Sequence, residues 1–285
     1  MKKILAGICA ATLLLSTVAV SGEKYTMVSV PKLRSVWFNR MEVGLKNAGE
    51  KFGIEVYQQA PAAADEAQQV RLIEDAIAQG VSAILVVPND SNSVVPAFKR
   101  AKERGMAVIT HESMNQKGAD YNIEMFDNVV YGETAMDELA KLMGEEGEYV
   151  SFVGSLTVPA HNAWADAAIA WLKANRPDLE IVGERYGVAE NVDDSRSTAL
   201  DLMAANPDLK GFLAFGSQGL QGGGQLGLGC GVGAEAGDIH AGQVAGLAAQ
   251  LGGVGGAAGE GGVLVGDAAD VLGGAQVEPG PGEVD

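Results

Sequence analysis

Apolar and polar residues along the first two thirds of this chain fall into blocks that change period in a regular order. The run "YTMVSV" at 25–30 is short and β-rich. Behind it, Phe38, Met41, Leu45, Ala48 and Phe52 step by three and four, which marks one face of an amphipathic helix. Gly53 closes that helix and "IEVYQQ" supplies the next strand. The unit recurs as "QQVRLIEDAIAQ", Gly80 and "VSAILVV", then as "VPAFKRAKER", Gly105 and "MAVIT". Each glycine stands where a helix C-terminus favours a left-handed residue. Strands alternating with single helices predict βαβ crossovers and a parallel sheet covered on both faces.

The rhythm breaks at "MNQKGADYNIEMFDNVV", residues 114–130. It restarts with helix "GETAMDELAKLMGEE", strand "EYVSFVG", helix "WADAAIAWLKAN", strand "EIVGERYGV", helix "SRSTALDLMAAN" and strand "GFLAF". Two α/β lobes are expected, residues 22–128 and 129–219, with a first crossover near Asp127 to Val129.

Composition changes the picture at both ends. "MKK", the apolar "ILAGICAATLLLSTVAV" and the small residues of "AVSG" predict a secretory signal peptide over residues 1–21 and export to a periplasm. The cysteines are Cys9, inside that segment, and Cys230, so no internal disulfide is expected in the mature chain. From Leu220 to Asp285, 22 of 66 residues are glycine, against 14 in residues 1–210, and neither lysine nor arginine follows Lys210. Residues 220–285 therefore predict a low-complexity tail, a degenerate and even out-of-frame continuation that leaves the second lobe incomplete. Without returning strands, the first lobe would show a bare sheet edge. Within "GLQGGGQLGLGCGVG", Gly222, Gly224 and Gly227 have dinucleotide-fingerprint spacing. The fingerprint also needs a helix behind it and an acid closing the next strand, and neither is expected here.

Charge narrows the partners. A net charge of −17 repels phosphate backbones and anionic lipid surfaces, so no nucleic acid is expected. In parallel sheets, ligands gather beyond the carboxyl ends of the strands. Those ends read "PKLRSVWF", "PNDSN", "HES", "GSLTVPAHN" and "FGSQG". Trp37, Phe38 and Trp164 could cover the apolar face of a ring, while Lys32, Glu112, Asn162, Ser217 and Gln218 bond its hydroxyls. Sugars present such a pairing of faces. The three histidines lack metal-ligand spacing, and no nucleophile elbow or carboxylate pair stands out. Neither catalysis, a metal nor a cofactor is expected.

Five segments carry a resemblance: "VSVPKLRSVWFNRMEVGLKNAGEKFGIEV", "QVRLIEDAIAQGVSAILVVPND", "MAVITHES", "VGSLTVPAHNAW" and "FLAFGSQG". Over residues 24–219 the chain resembles the sugar-type periplasmic solute-binding proteins of ABC transporters, within them the autoinducer-2 and rhamnose-binding subgroup. The resemblance implies a two-lobe type I periplasmic-binding-protein fold, each lobe a parallel sheet flanked by helices, with three hinge crossovers. It also implies a monomer that delivers ligand to an inner-membrane permease without catalysis. By family position, Lys32, Trp37, Phe38, Glu112, the "AHN" segment with His161 and Asn162, and the "GSQG" segment with Ser217 and Gln218 line the cleft. His161 has a second reading, as a cap of the helix starting near Asn162. Autoinducer-2 binders keep an acid and an amide where this chain has Ala160 and His161, and proline and alanine at Phe215 and Ser217. A simple sugar or polyol is therefore the expected ligand, with autoinducer-2 the alternative.

Overall fold

The structure, a computed structural model, describes residues 24–144, 147–224, 231–232 and 276–279. The signal-peptide segment, both cysteines and most of the glycine-rich stretch lie outside the described residues.

The first lobe is built on β1 (Thr26–Val30), β2 (Glu55–Gln58), β3 (Ala83–Val86), β4 (Ala107–His111) and β5 (Tyr121–Glu124). They pair in parallel in the order β5-β4-β3-β1-β2. The covering helices are α1 (Val36–Phe52), α2 (Glu66–Gln79) and α3 (Val95–Glu103). Gly53 and Gly80 end α1 and α2 in the left-handed region as predicted, while the cap of α3 is Arg104 with left-handed Gly105 just behind it; Ser35 and Asp65 cap the N-termini of α1 and α2. One core packs Val28, Val30, Ile84 and Val108 against Ile73, Ile77 and Phe98. Phe38, Leu33 and Val87 form a smaller cluster beside the strand ends.

The second lobe holds α4 (Asn128–Met143), β6 (Gly147–Val153), α5 (Pro159–Asn175), β7 (Leu179–Ile181), β8 (Tyr186–Gly187), α6 (Val192–Ala205), β9 (Leu209–Phe215) and α7 (Ser217–Gly224). Strand β6 lies between β9 and β7, with β8 pairing farther along its length. Met136, Leu139, Trp164, Tyr149 and Phe215 fill one face of this sheet, while Phe152, Phe212, Ala199 and Leu220 fill the other. The sheet is therefore covered on both sides, as expected of a parallel one.

Four expectations need correction. The segment "EIVGERYGV" is two short strands, because the chain turns at Gly183, whose φ is 70°. The break at 114–130 contains β5, whose buried positions are the polar Asn122 and Glu124 while Tyr121 faces out. This inverts the hydrophobic alternation by which strands are read. Helix α5 starts at Pro159, so His161 is inside its first turn and does not cap it.

The fourth concerns the glycine-rich segment. Helix α7 runs through it to Gly224, past the expected end of the second lobe at 219. A Cβ on Gly222 would lie 2.6 Å from the Val192 carbonyl oxygen and 2.7 Å from Ser195 Cβ, and one on Gly219 2.8 Å from Ala189 Cβ. Gly222 lets α7 approach α6 closely and Gly219 lets it approach Ala189 ahead of α6, so Gly222 belongs to packing, not to a phosphate loop. Farther on, β10 (Gly231–Val232) pairs in parallel with β9, and β11 (Gln276–Pro279) pairs antiparallel with β5. The β5 edge is therefore paired.

Candidate ligand-binding cleft

The site is assembled at the carboxyl ends of the strands of both lobes. After β1 the chain passes Pro31 into Lys32, and a buried glutamine places this turn. Gln69 on α2 donates from Nε2 to the carbonyls of Val30 (3.2 Å) and Val87 (2.7 Å), and its Oε1 accepts from the Asn89 N–H at 2.9 Å. Asn89 in turn donates to the Lys32 carbonyl at 2.9 Å. The ends of β1 and β3 are thus tied together and Lys32 is aimed away from its own sheet.

Lys32 reaches across to the second lobe. Its Nζ lies 3.1 Å from Glu190 Oε1, 3.5 Å from Glu112 Oε2 and 2.9 Å from His161 Nε2. The three charged side chains are 3%, 8% and 7% exposed for Lys32, Glu190 and Glu112, so the cluster is desolvated. Burial pushes the Lys32 ammonium down, but Glu190 and Glu112 outweigh it and hold the pKa above the ordinary lysine value. Burial likewise pushes Glu112 up. The charges of Lys32 and His111, with hydrogen bonds from Lys32 and the Trp37 indole, reverse that and keep the carboxyl below its usual range. Glu112 takes φ 56°, a left-handed conformation uncommon for glutamate and found at functional sites.

His161 is held neutral, well below the ordinary imidazole value, by burial first and then by the Lys32 charge. The Gly154 N–H donates to its Nδ1 at 3.0 Å, which places the ring proton on Nε2. Nε2–H and the Lys32 ammonium therefore meet as two donors. At 2.9 Å they leave no room for an atom between them, but an oxygen placed beside both would accept from each. Glu190 has spare capacity of the opposite kind, since its buried Oε2 has no hydrogen-bond partner.

An aromatic wall borders the cluster. Trp164 is stacked on His161 at 5.2 Å between centroids and meets Tyr131 edge-on at 4.8 Å, and Phe126 stacks on Tyr131 at 4.7 Å. Trp37 and Phe38, in the first turn of α1, face it from the other lobe. The free space enclosed here is about 40 Å³. Small-molecule pockets begin at roughly 300 Å³, so the lobes must part, or Lys32 must swing out, to admit a ring.

Of the residues expected in the site, Lys32, Trp37, Phe38, Glu112, His161, Ser217 and Gln218 line this one cavity, together with Trp164. Asn162 stands apart: its amide nitrogen donates to the carbonyls of Ser155 and Val158, and Arg185 Nη1 donates to its oxygen at 3.1 Å. Ala160 and Phe215, two of the positions where the chain departs from autoinducer-2 binders, are core residues, 2% and 1% exposed. Glu190, Tyr131 and Phe126 were missed. Only "VAENVDD", an acid between a short strand and a capped helix, hinted at Glu190. Nothing local shows that it faces Lys32.

The sequence profile of the periplasmic binding protein domain matches residues 26–257, and this chain belongs to that family. The match continues past the composition break at 219–230, farther than the resemblance read from motifs. Ribose import binding protein RbsB of Bacillus subtilis is 25% identical over 195 residues, covering 67% of this chain and 61% of the relative. The D-xylose-binding periplasmic protein of Escherichia coli is 25% identical over 241 residues, 78% of this chain and 71% of the relative. Among solved structures, an ABC transporter solute-binding protein of Agrobacterium vitis with bound D-fucose superposes with a TM-score of 0.67 at 26% identity. The superposition covers 73% of this chain and 76% of that one. The chain thus spans less than two thirds of the RbsB relative, and these relatives are binding proteins, not enzymes. Among the described residues, no helix is long and apolar enough to cross a membrane.

Proposed function

We propose that this protein is the substrate-binding component of an ABC importer, exported by residues 1–21 to the periplasm, where it takes a simple sugar or polyol between its lobes. The observation that carries this reading is the cluster of Lys32, Glu112, Glu190 and His161, contributed by both lobes and walled by Trp37 and Trp164. Apolar ring faces suit the C–H face of a sugar, and a set of donors and acceptors fixed by burial suits its hydroxyls. The protein acts as a monomer, hands its ligand to an inner-membrane permease and binds no nucleic acid.

A thermal-shift screen against pentoses, hexoses, 6-deoxyhexoses, polyols and autoinducer-2 tests this. The best sugar, at about 100 times its Kd, should stabilise the fold by roughly 2.7 kcal/mol without being consumed. Absence of any sugar-dependent shift, or chemical turnover of the ligand, would refute the reading. Autoinducer-2 displacing every sugar would reassign the ligand.

A further inference from the structure

Five polar side chains form a continuous hydrogen-bonded run from the first lobe's sheet, through the crossover at residues 125–127, to the aromatic wall of the cleft. The Thr110 hydroxyl, on β4, donates to Asn122 Oδ1 at 2.9 Å, and the Ser113 N–H approaches the same oxygen at 3.3 Å. Asn122 Nδ2, on β5, donates to Glu124 Oε1 at 2.7 Å. From the other side, the Trp164 indole N–H donates to Asn128 Oδ1, and Asn128 Nδ2 donates to Glu124 Oε2 at 3.1 Å. Asn122, Glu124, Asn128 and Trp164 are each no more than 5% exposed.

The polarity of this run is forced. An indole N–H and a backbone N–H can only donate, so both asparagine oxygens must face the ends of the run. Both amide nitrogens then converge on residue 124, which has to accept on two oxygens at once. A carboxylate does this; a glutamine amide has a single oxygen. Glu124 closes β5 and Asn128 opens α4, so the run crosses between the lobes where the chain does.

We propose that Glu124 is a positioning residue that, through Asn128, fixes the Trp164 indole in the cleft wall and so joins the first interlobe crossover to the binding site. Its bearing on ligand affinity rests on the proposed binding function; the relay itself does not. Replacing Glu124 by alanine would only remove a buried group, so the informative changes alter polarity at constant shape. In Glu124→Gln one asparagine nitrogen meets another nitrogen. If Asn128 flips to relieve this, its nitrogen meets the indole N–H instead. In the double variant Glu124→Gln/Asn128→Asp, the new amide nitrogen donates to the new carboxylate. That carboxylate still accepts from Trp164, and the charge is conserved.

The test is the indole N–H resonance of Trp164 in ¹⁵N-labelled full-length protein, assigned with Trp37→Phe and Trp171→Phe variants. Glu124→Gln should speed its solvent exchange by about tenfold, the factor that one ordinary hydrogen bond confers, and the double variant should restore wild-type exchange. Unchanged exchange in Glu124→Gln, or a double variant that exchanges as fast as it, overturns the proposal. If Glu124→Gln does not fold, the melting of the double variant decides instead. A double variant that regains a wild-type melting transition supports the relay, and one that also fails to fold overturns it. No sugar is needed, so a failed sugar screen would leave this result standing, and an unmoved indole would leave the sugar reading standing.

Discussion

At the scale of residues, the cleft depends on charges that neither lobe could bury alone. Lys32 comes from one lobe and Glu190 from the other, 3.1 Å apart and nearly dry. Glu112→Gln keeps the shape but removes the charge-assisted bonds to Lys32 and Trp37, and should weaken sugar binding by roughly 1.5–3 kcal/mol. Titration calorimetry of that variant beside Trp37→Ala, for which a similar loss is expected, checks the site. Gly154 makes the second test. A Cβ there would stand 2.7 Å from Glu190 Cδ and 2.9 Å from His161 Nδ1. The glutamate's flexible end is what gives way, so Gly154→Ala should displace Glu190 from Lys32 and lower affinity about tenfold, near 1.4 kcal/mol. Wild-type affinity in Gly154→Ala would mean that the Lys32–Glu190 contact is dispensable.

Elements behave differently from residues here, because glycine at α7 is a packing residue. In an exposed helix a glycine-to-alanine change gains nearly 1 kcal/mol of helix propensity. At Gly222 the neighbours are backbone atoms of α6, the Val192 oxygen at 2.6 Å and the Arg196 nitrogen at 2.8 Å, and these cannot turn aside. Gly222→Ala should therefore destabilise by about 1–3 kcal/mol through overpacking, seen as a lower urea midpoint; a stabilised variant would disprove this packing. Strand β11 supplies an element-scale test of the tail. It covers the β5 edge over four residue pairs, from Gln276 against Glu124 to Pro279 against Tyr121. Truncation after residue 275 should uncover that edge and promote association, which light scattering at increasing concentration would report. Unchanged scattering would show that the pairing has no protective role.

For the whole molecule, the buried imidazole sets a pH response. His161 stays neutral in the fold, its pKa well below 6.5. As pH falls through about 6.5 the unfolded chain gains a proton that the native one refuses, so stability drops by up to about 1.4 kcal/mol per pH unit. Glu124 pulls the other way: burial raises its pKa above 4.5, Glu112 adds to the rise, and Asn122, Asn128 and His111 offset part of it. Its protonation favours the fold as pH falls toward the carboxylate range. Between pH 6.5 and 5 the His161→Gln variant should therefore lose less stability than wild type in urea titrations. Equal slopes would mean that His161 becomes charged inside the protein.

Except at β5 and at the turn between β7 and β8, the alternation of strands and helices, their glycine stops and the positions of their carboxyl ends were legible along the chain, because each depends on neighbours within a few residues. Lys32 and Glu112 could be placed at a cleft for that reason, since they follow strands closely, and Trp37 and Phe38 because they open the helix that comes next. What the chain hid has one physical origin. Strand β5 buries Asn122 and Glu124 instead of apolar residues, and Glu124 accepts from Asn128 of the other lobe, which in turn accepts from Trp164. Glu190 meets Lys32 only after two sheets have formed and come together. Gly222 of α7 looks like low complexity until α6 lies against it. Local periodicity thus determined the two-lobe α/β architecture and the strand ends that border the cleft. Tertiary contact decided which polar groups could be buried, since a buried charge or amide is tolerated only where a partner from elsewhere in the fold satisfies it.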